Sequence, residues 1–194
     1  MELLPVGHDL GEHHDGEGGR TRQVRVGAEL AELDDARYAV WAAAHGTADA
    51  DGRVSAVEER ALRAAHGDAV VDELLERRLL ARTAPAVEFA ERHRLVPLAL
   101  GLGNTEEQPY LFSAGLLYQP VVAMTGALYD LWQWAHLSPD LWWACRELAS
   151  VAVRAGVTEP EQTDPDQVLT GALGSLPQLL AARVACFDVR IEGR

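Results

Sequence analysis

Hydrophobic and polar positions along this 194-residue chain fall into one arrangement that occurs twice. Tyr38, Trp41, Ala42 and His45 stand at i, i+3, i+4 and i+7, the spacing of one helix face. Tyr129, Trp132 and His136 repeat the Tyr, Trp and His positions with the same spacing, 91 residues further on. The flanks agree: residues 30–34 fall opposite 121–125, and Asp68, Val70 and Val71 resemble Asp166, Val168 and Leu169. Tryptophan is rare, so the match predicts two copies of one small module.

In the first copy, Val24, Arg25 and Val26 and then residues 30–33 read as two short strands joined by a turn at Gly27. Asp34 or Asp35 caps the helix that carries Trp41, and Gly46 ends it. Ser55 with Glu58 three residues later forms a capping box for a second helix ending near His66. Asp68 caps a third, amphipathic through Val70, Val71, Leu74, Leu75 and Leu79. Residues 80–89 read as a strand or wing, with Pro85 at a turn or edge.

Farther along, residues 95–100 and 110–118 read as a hairpin around a polar loop. Thr125 begins the helix of the second copy, and Ser138 with Pro139 starts the next, whose apolar stripe is Trp142, Cys145, Leu148 and Ala149. A last helix carries Val168, Leu169, Leu173, Leu176, Leu179 and Leu180; Pro177 should end or kink it, and residues 182–189 should close the chain as a strand. Residues 1–20 differ: His8, Asp9, Glu12, His13, His14, Asp15 and Glu17 stand among five glycines, too polar to offset the entropy of ordering. The expected organisation is therefore a flexible acidic arm at 1–20, a module at 21–94, a connecting β-hairpin at 95–118 and a second module at 119–190. Residues 191–194 spell the factor Xa recognition sequence and are read as a remnant of tag removal. Strand pair, three helices, then strand is a winged-helix order. The fold-class expectation is α+β, mostly α, with tandem winged-helix modules and short β-hairpins.

Composition narrows the function classes. Thirty acidic residues against 17 basic ones, all arginine, give a formal net charge of −13, which makes a polyanion a poor default partner. Cys145 and Cys186 show no metal or redox spacing and read as buried thiols. Neither a signal peptide nor an apolar run long enough to span a membrane is found, so a cytoplasmic protein without a membrane partner is expected. No hydrolase, zinc or nucleotide-loop motif is present; the expectation is a non-enzyme with no catalytic residues, cofactor or metal. The repeated histidines are read as caps at helix C-termini.

Four of the five tryptophans lie at positions 132, 134, 142 and 143. Neighbours on a helix cannot all face one core, so Trp134 and Trp143 either pack against the first module or central hairpin or mark a binding or homodimer surface. For a DNA-binding winged helix the third helix would enter the major groove, yet it begins with Asp68, Asp72, Glu73 and Glu76. The one basic strip, Arg77, Arg78, Arg82, Arg92 and Arg94, could serve as a DNA wing and keeps a transcriptional regulator as the alternative.

Residues 22–82, through the strand pair, the helix with Tyr38, Val40 and Trp41, and the run Val70, Val71, Leu74, Leu75, Leu79 and Leu80, resemble the winged-helix domains that bind leader peptides in the maturation of ribosomally made peptide natural products. The resemblance implies that a peptide adds as an extra strand near Val24, Arg25 and Val26, with Leu74 and Arg78 nearby, and that the protein is an accessory factor in such biosynthesis. Pro120 and Pro177 depart from that pattern in the second copy, so no groove is carried over to it.

Overall fold

The computed structural model describes residues 1–191; residues 192–194, most of the presumed tag remnant, lie outside the described residues. The chain opens with β1 (Glu2–Pro5), followed by the meander β2 (His8–His14), β3 (Arg20–Val26) and β4 (Glu29–Leu33). Next come α1 (Asp35–Ala43), the mutually paired β5 (Thr47–Ala48) and β6 (Val54–Ser55), β7 (Val57–Glu58), α2 (Glu59–His66), α3 (Asp68–Glu76) and β8 (Leu80–Arg82). β1 lies between β7 and β8 and is antiparallel to both. After α4 (Ala86–Arg92) the second half begins with β9 (His93–Pro97) and the meander β10 (Leu100–Gly103), β11 (Leu111–Leu116) and β12 (Gln119–Thr125). It continues through α5 (Gly126–Trp134), a 3-10 turn (Ala135–Leu137), α6 (Leu141–Arg154), α7 (Pro160–Thr163) and α8 (Pro165–Ala181), and ends in β13 (Ala185–Val189), antiparallel to β9.

Both halves follow one plan: a strand, a three-stranded meander, helices, and a final strand that returns to pair with the first. Backbone details repeat with it. Asp34 and Thr125 each cap a helix by accepting the amide of the third residue on, Arg37 or Leu128. Bulges in β2 and β10 carry Gly11 and Gly103 at φ of 86° and 74°, a region that favours glycine. Arg78 and Arg183 both take positive φ just past a helix end. Val6 N–H donates to the Leu79 carbonyl as Leu98 N–H does to that of Val184. The repeated unit therefore starts at β1 and at β9, rather than at residues 21 and 119, and residues 95–118 are not a connector but the first strands of the second copy.

The winged-helix, mostly α expectation is overturned. Helix accounts for 42% and strand for 31% of the fold, and no wing hairpin follows α3. Instead β8 returns to β1, and α4 occupies the residues expected to form the rest of a strand or wing. Residues 1–20 are no arm: Leu3, Leu4 and Val6 are wholly buried, and the polar β2 gains order by pairing with β3, where Glu12 bridges to Arg20 and Arg22. The Ser55 capping box does not form, because Ser55 pairs with Thr47 in a strand and α2 starts only at Glu59. Likewise Asp140, not Ser138, caps α6. Pro177 does not end α8, since Leu176, Leu179 and Leu180 are packed in the core on either side of it and outweigh one lost backbone bond.

Each half has its own hydrophobic cluster, one around Trp41 and the other around Trp132. β1 joins them: Leu3 packs in the first cluster, Leu4 and Val6 in the second. Val6 bridges in parallel to Phe187 of β13, and Gly7 N–H donates to the Phe187 carbonyl. Asp188, 1% exposed, completes the junction by accepting from the Gly27 amide at 2.6 Å and from Arg94 and Arg25 at 3.0 and 3.3 Å.

Candidate functional site

Alternation along β4 sends Leu33 into the first core and turns Leu30 outward, 52% exposed. Among the described residues β4 pairs only with β3, so its other side is an open sheet edge. The Glu32 carbonyl accepts from Arg77 Nη2 at 3.1 Å, which places it on that open side. In an antiparallel pair, the amide and carbonyl of a residue share a side, and so do those two residues away; Leu30 therefore also offers both groups to the open edge. Arg77 follows directly on α3, and α3 is tied to α1 by the two-pronged bond from Arg37 to Glu73 at 2.7 and 2.8 Å. The Arg37 guanidinium holds the Glu73 carboxyl below its ordinary range. Glu29 and Glu32 on the strand and Glu76 at the end of α3 are all exposed, giving this region an acidic character.

The expected groove residues divide. Val24, Arg25 and Val26 lie on β3, the middle strand, with both edges taken, and Val24 is fully buried. A peptide cannot add there. Leu74 is a core residue of the first cluster, whereas Arg78 is exposed. The residues that the sequence does not single out are Leu30 and Glu32; the in-out alternation of residues 29–33 is legible, but which strand edge stays unpaired is not, because the polar, glycine-flanked residues 8–14 have the composition of an arm. Among the arginines of the presumed DNA wing, Arg82 is bound to Glu59 at 2.8 and 2.9 Å, Arg94 to Asp188, Arg92 to Glu88 at 3.1 Å, and Arg77 to Glu73 and the Glu32 carbonyl. Four of the five are thus matched by carboxylates, and Arg78 is exposed.

Trp134 and Trp143 are 57% and 47% exposed rather than packed on the first half. Arg146 lies over the Trp143 ring, 5.4 Å from its centroid. The two meanders also differ on their outer faces. β3 and β4 turn Gln23, Arg25 and Glu32 outward, while the second meander shows Leu100, Leu111 and Val121, each at least 42% exposed, and carries no charge on its strands.

A second concavity of about 450 Å³ lies between the halves, lined among others by Asp9, Trp41, His45, Arg183 and Cys186. His45 Nδ1 lies 3.1 Å from the Trp41 carbonyl, so that nitrogen carries the proton, and Nε2 accepts from Arg183 at 2.7 Å. Burial and the Arg183 charge push the His45 imidazole down to about 4. It is a neutral helix cap, not a charged one. Arg183 stacks over the Trp41 ring at 5.3 Å, and Asp9 accepts from the Tyr38 hydroxyl at 2.6 Å. Burial raises the Cys186 thiol to about 12, so the cleft offers no thiolate. With the imidazole occupied on both nitrogens and no activated nucleophile beside it, this network positions the halves. His136, the repeat partner of His45, has a buried Nδ1 without a hydrogen-bond partner among the described residues and caps nothing. Among the described residues, no helix is long and apolar enough to cross a membrane. No family model, curated protein or solved structure gives a significant match to this chain.

Proposed function

We propose that this protein is a non-catalytic peptide-binding protein that takes up an extended, positively charged segment as an added strand along β4. The observation that carries this reading is the open edge of β4 beside the end of α3, with Leu30 and Glu32 offering their backbone groups outward. Backbone pairing supplies affinity in such a mode, and side-chain pockets supply choice. Glu29, Glu32 and Glu76 favour basic residues on the incoming strand, whose amide would take the place of Arg77 on the Glu32 carbonyl. A leader peptide, and with it an accessory role in peptide natural-product biosynthesis, is the ligand proposed for this edge on the strand-addition geometry of β4 and not on a winged-helix fold. DNA has less support, because four of the five arginines offered for it, all but Arg78, are engaged by Glu59, Glu73, Glu88 and Asp188.

A fluorescein-labelled peptide of six Lys-Val repeats is the probe, with six Glu-Val repeats as its control. The lysine peptide should bind and slow amide exchange at Leu30 and Glu32. Leu30→Pro removes only an outward amide donor, so it should leave the fold intact and weaken binding at least tenfold. Equal binding of both peptides, or unchanged binding by Leu30→Pro, would rule out this mode. Salt-sensitive binding of a mixed-sequence DNA duplex would favour the regulator instead.

A further inference from the structure

Helices α5, α6, α7 and α8 enclose a groove of about 530 Å³ on the second half, away from β4. It belongs to what the second half adds to the shared plan: α6 has 14 residues against 8 in α2, α8 has 17 against 9 in α3, and α7 has no counterpart. Its wall is made by Leu128, Leu131, Leu148, Val151, Val157 and Val168, and its volume is that of a small-molecule site. Charge at the groove has one sign. Asp130 and Glu161 line it, and among the described residues no arginine or histidine does. Among the described residues neither carboxylate has a cationic partner, and partial burial raises the Asp130 carboxyl above its ordinary value.

One lining residue is a helical glycine, as unhindered as Gly174 outside the lining. Gly171 stands in the middle of α8, where glycine weakens a helix relative to alanine, yet a Cβ there would meet no heavy atom within 4 Å. Nothing in the chain requires the missing side chain. What the glycine does is leave the groove floor open.

We infer that this groove binds a small amphiphile with an apolar body and a single protonated amine, the body lying along Leu128, Leu148 and Val168 and the ammonium meeting Asp130 and Glu161. A fatty acid would bring its carboxylate against two others, and a neutral alcohol would leave both unpaired. The chain's net charge of −13 further attracts a cation. The site is distinct from the β4 edge, and its fate does not depend on that reading.

Calorimetric titration at pH 7 with n-octylamine, 1-octanol and octanoate tests this directly on the full chain. One molecule of octylamine should bind per chain, at least tenfold more tightly than octanoate, with octanol between them. The Asp130→Asn, Glu161→Gln double variant should bring octylamine down to the affinity of octanol. Gly171→Leu fills the floor and should abolish binding while melting at or above the temperature of the unmodified chain; Gly174→Ala, on the same helix but not in the lining, should bind as before. Octanoate binding as tightly as octylamine, binding retained by Gly171→Leu, or uptake of many molecules per chain would overturn the assignment. So would a dimer in sedimentation that Gly171→Leu converts to monomer, because the groove would then hold a second copy of the chain.

Discussion

Burial and the Arg183 guanidinium bring the folded-state pKa of His45 to about 4, against an ordinary imidazole value of 6.5. A basic group with a depressed folded pKa contributes its stability in full above pH 6.5 and loses it as the unfolded chain takes up protons between pH 6.5 and 4. The loss should reach about 3 kcal/mol in urea denaturation over that window. His93 shifts the same way through burial, so the comparison with His45→Gln isolates the His45 share, and an equal pH dependence in that variant would refute it. At Asp188 the expected outcome is larger: Asp188→Ala leaves Arg25 and Arg94 facing each other at the junction and should cost about 3–5 kcal/mol by chemical denaturation. Both thiols are pushed up to about 12 by burial, and neither should react with a thiol reagent until the chain unfolds. Burial of both cysteines, of Trp41 and of Trp132 was readable from residue type and spacing. The roles of Asp9, Asp188 and Arg183 were not, since each acts on a partner at least 29 positions away, such as Tyr38, Arg94 and His45.

Helix caps that rest on one turn of sequence were legible where the cap residue was right, and strand pairings across long separations were not. Asp34 and Thr125 cap α1 and α5 as expected, and Gly67 marks the end of α2, because capping involves residues within one turn of each other. β1 is only four residues long, and its partners β7 and β8 lie more than 50 residues away, so neither period nor composition distinguishes it from a tail. The same limit hid the open edge: the alternation of Leu30 with Ala31 and Glu32 was visible, but which side of the strand stayed unpaired depended on β2. In α8, Gly174 has an ordinary helical position and space for a side chain, so Gly174→Ala should raise stability by about 0.5–1 kcal/mol in thermal melts. A destabilised Gly174→Ala would mean that α8 bends at that residue.

Across the whole molecule, the two clusters share β1, so the halves should unfold together. Far-ultraviolet dichroism, which follows both halves, and tryptophan fluorescence, weighted to the second half by Trp132, Trp134, Trp142 and Trp143, should give coincident urea transitions. Two separated transitions would show the halves to be independent. The seam at β1 also sets a timetable for the nascent chain. Translation delivers β1 before every strand it pairs with: β8 follows only after some 75 further residues, and Phe187, the parallel partner of Val6, later still. At roughly 5–20 residues per second on the ribosome, seconds pass in which Leu3, Leu4 and Val6 are exposed without their partners. An apolar segment made before all of its partners is thus among the last to be locked, and its shelter while it waits depends on the cell rather than on the fold.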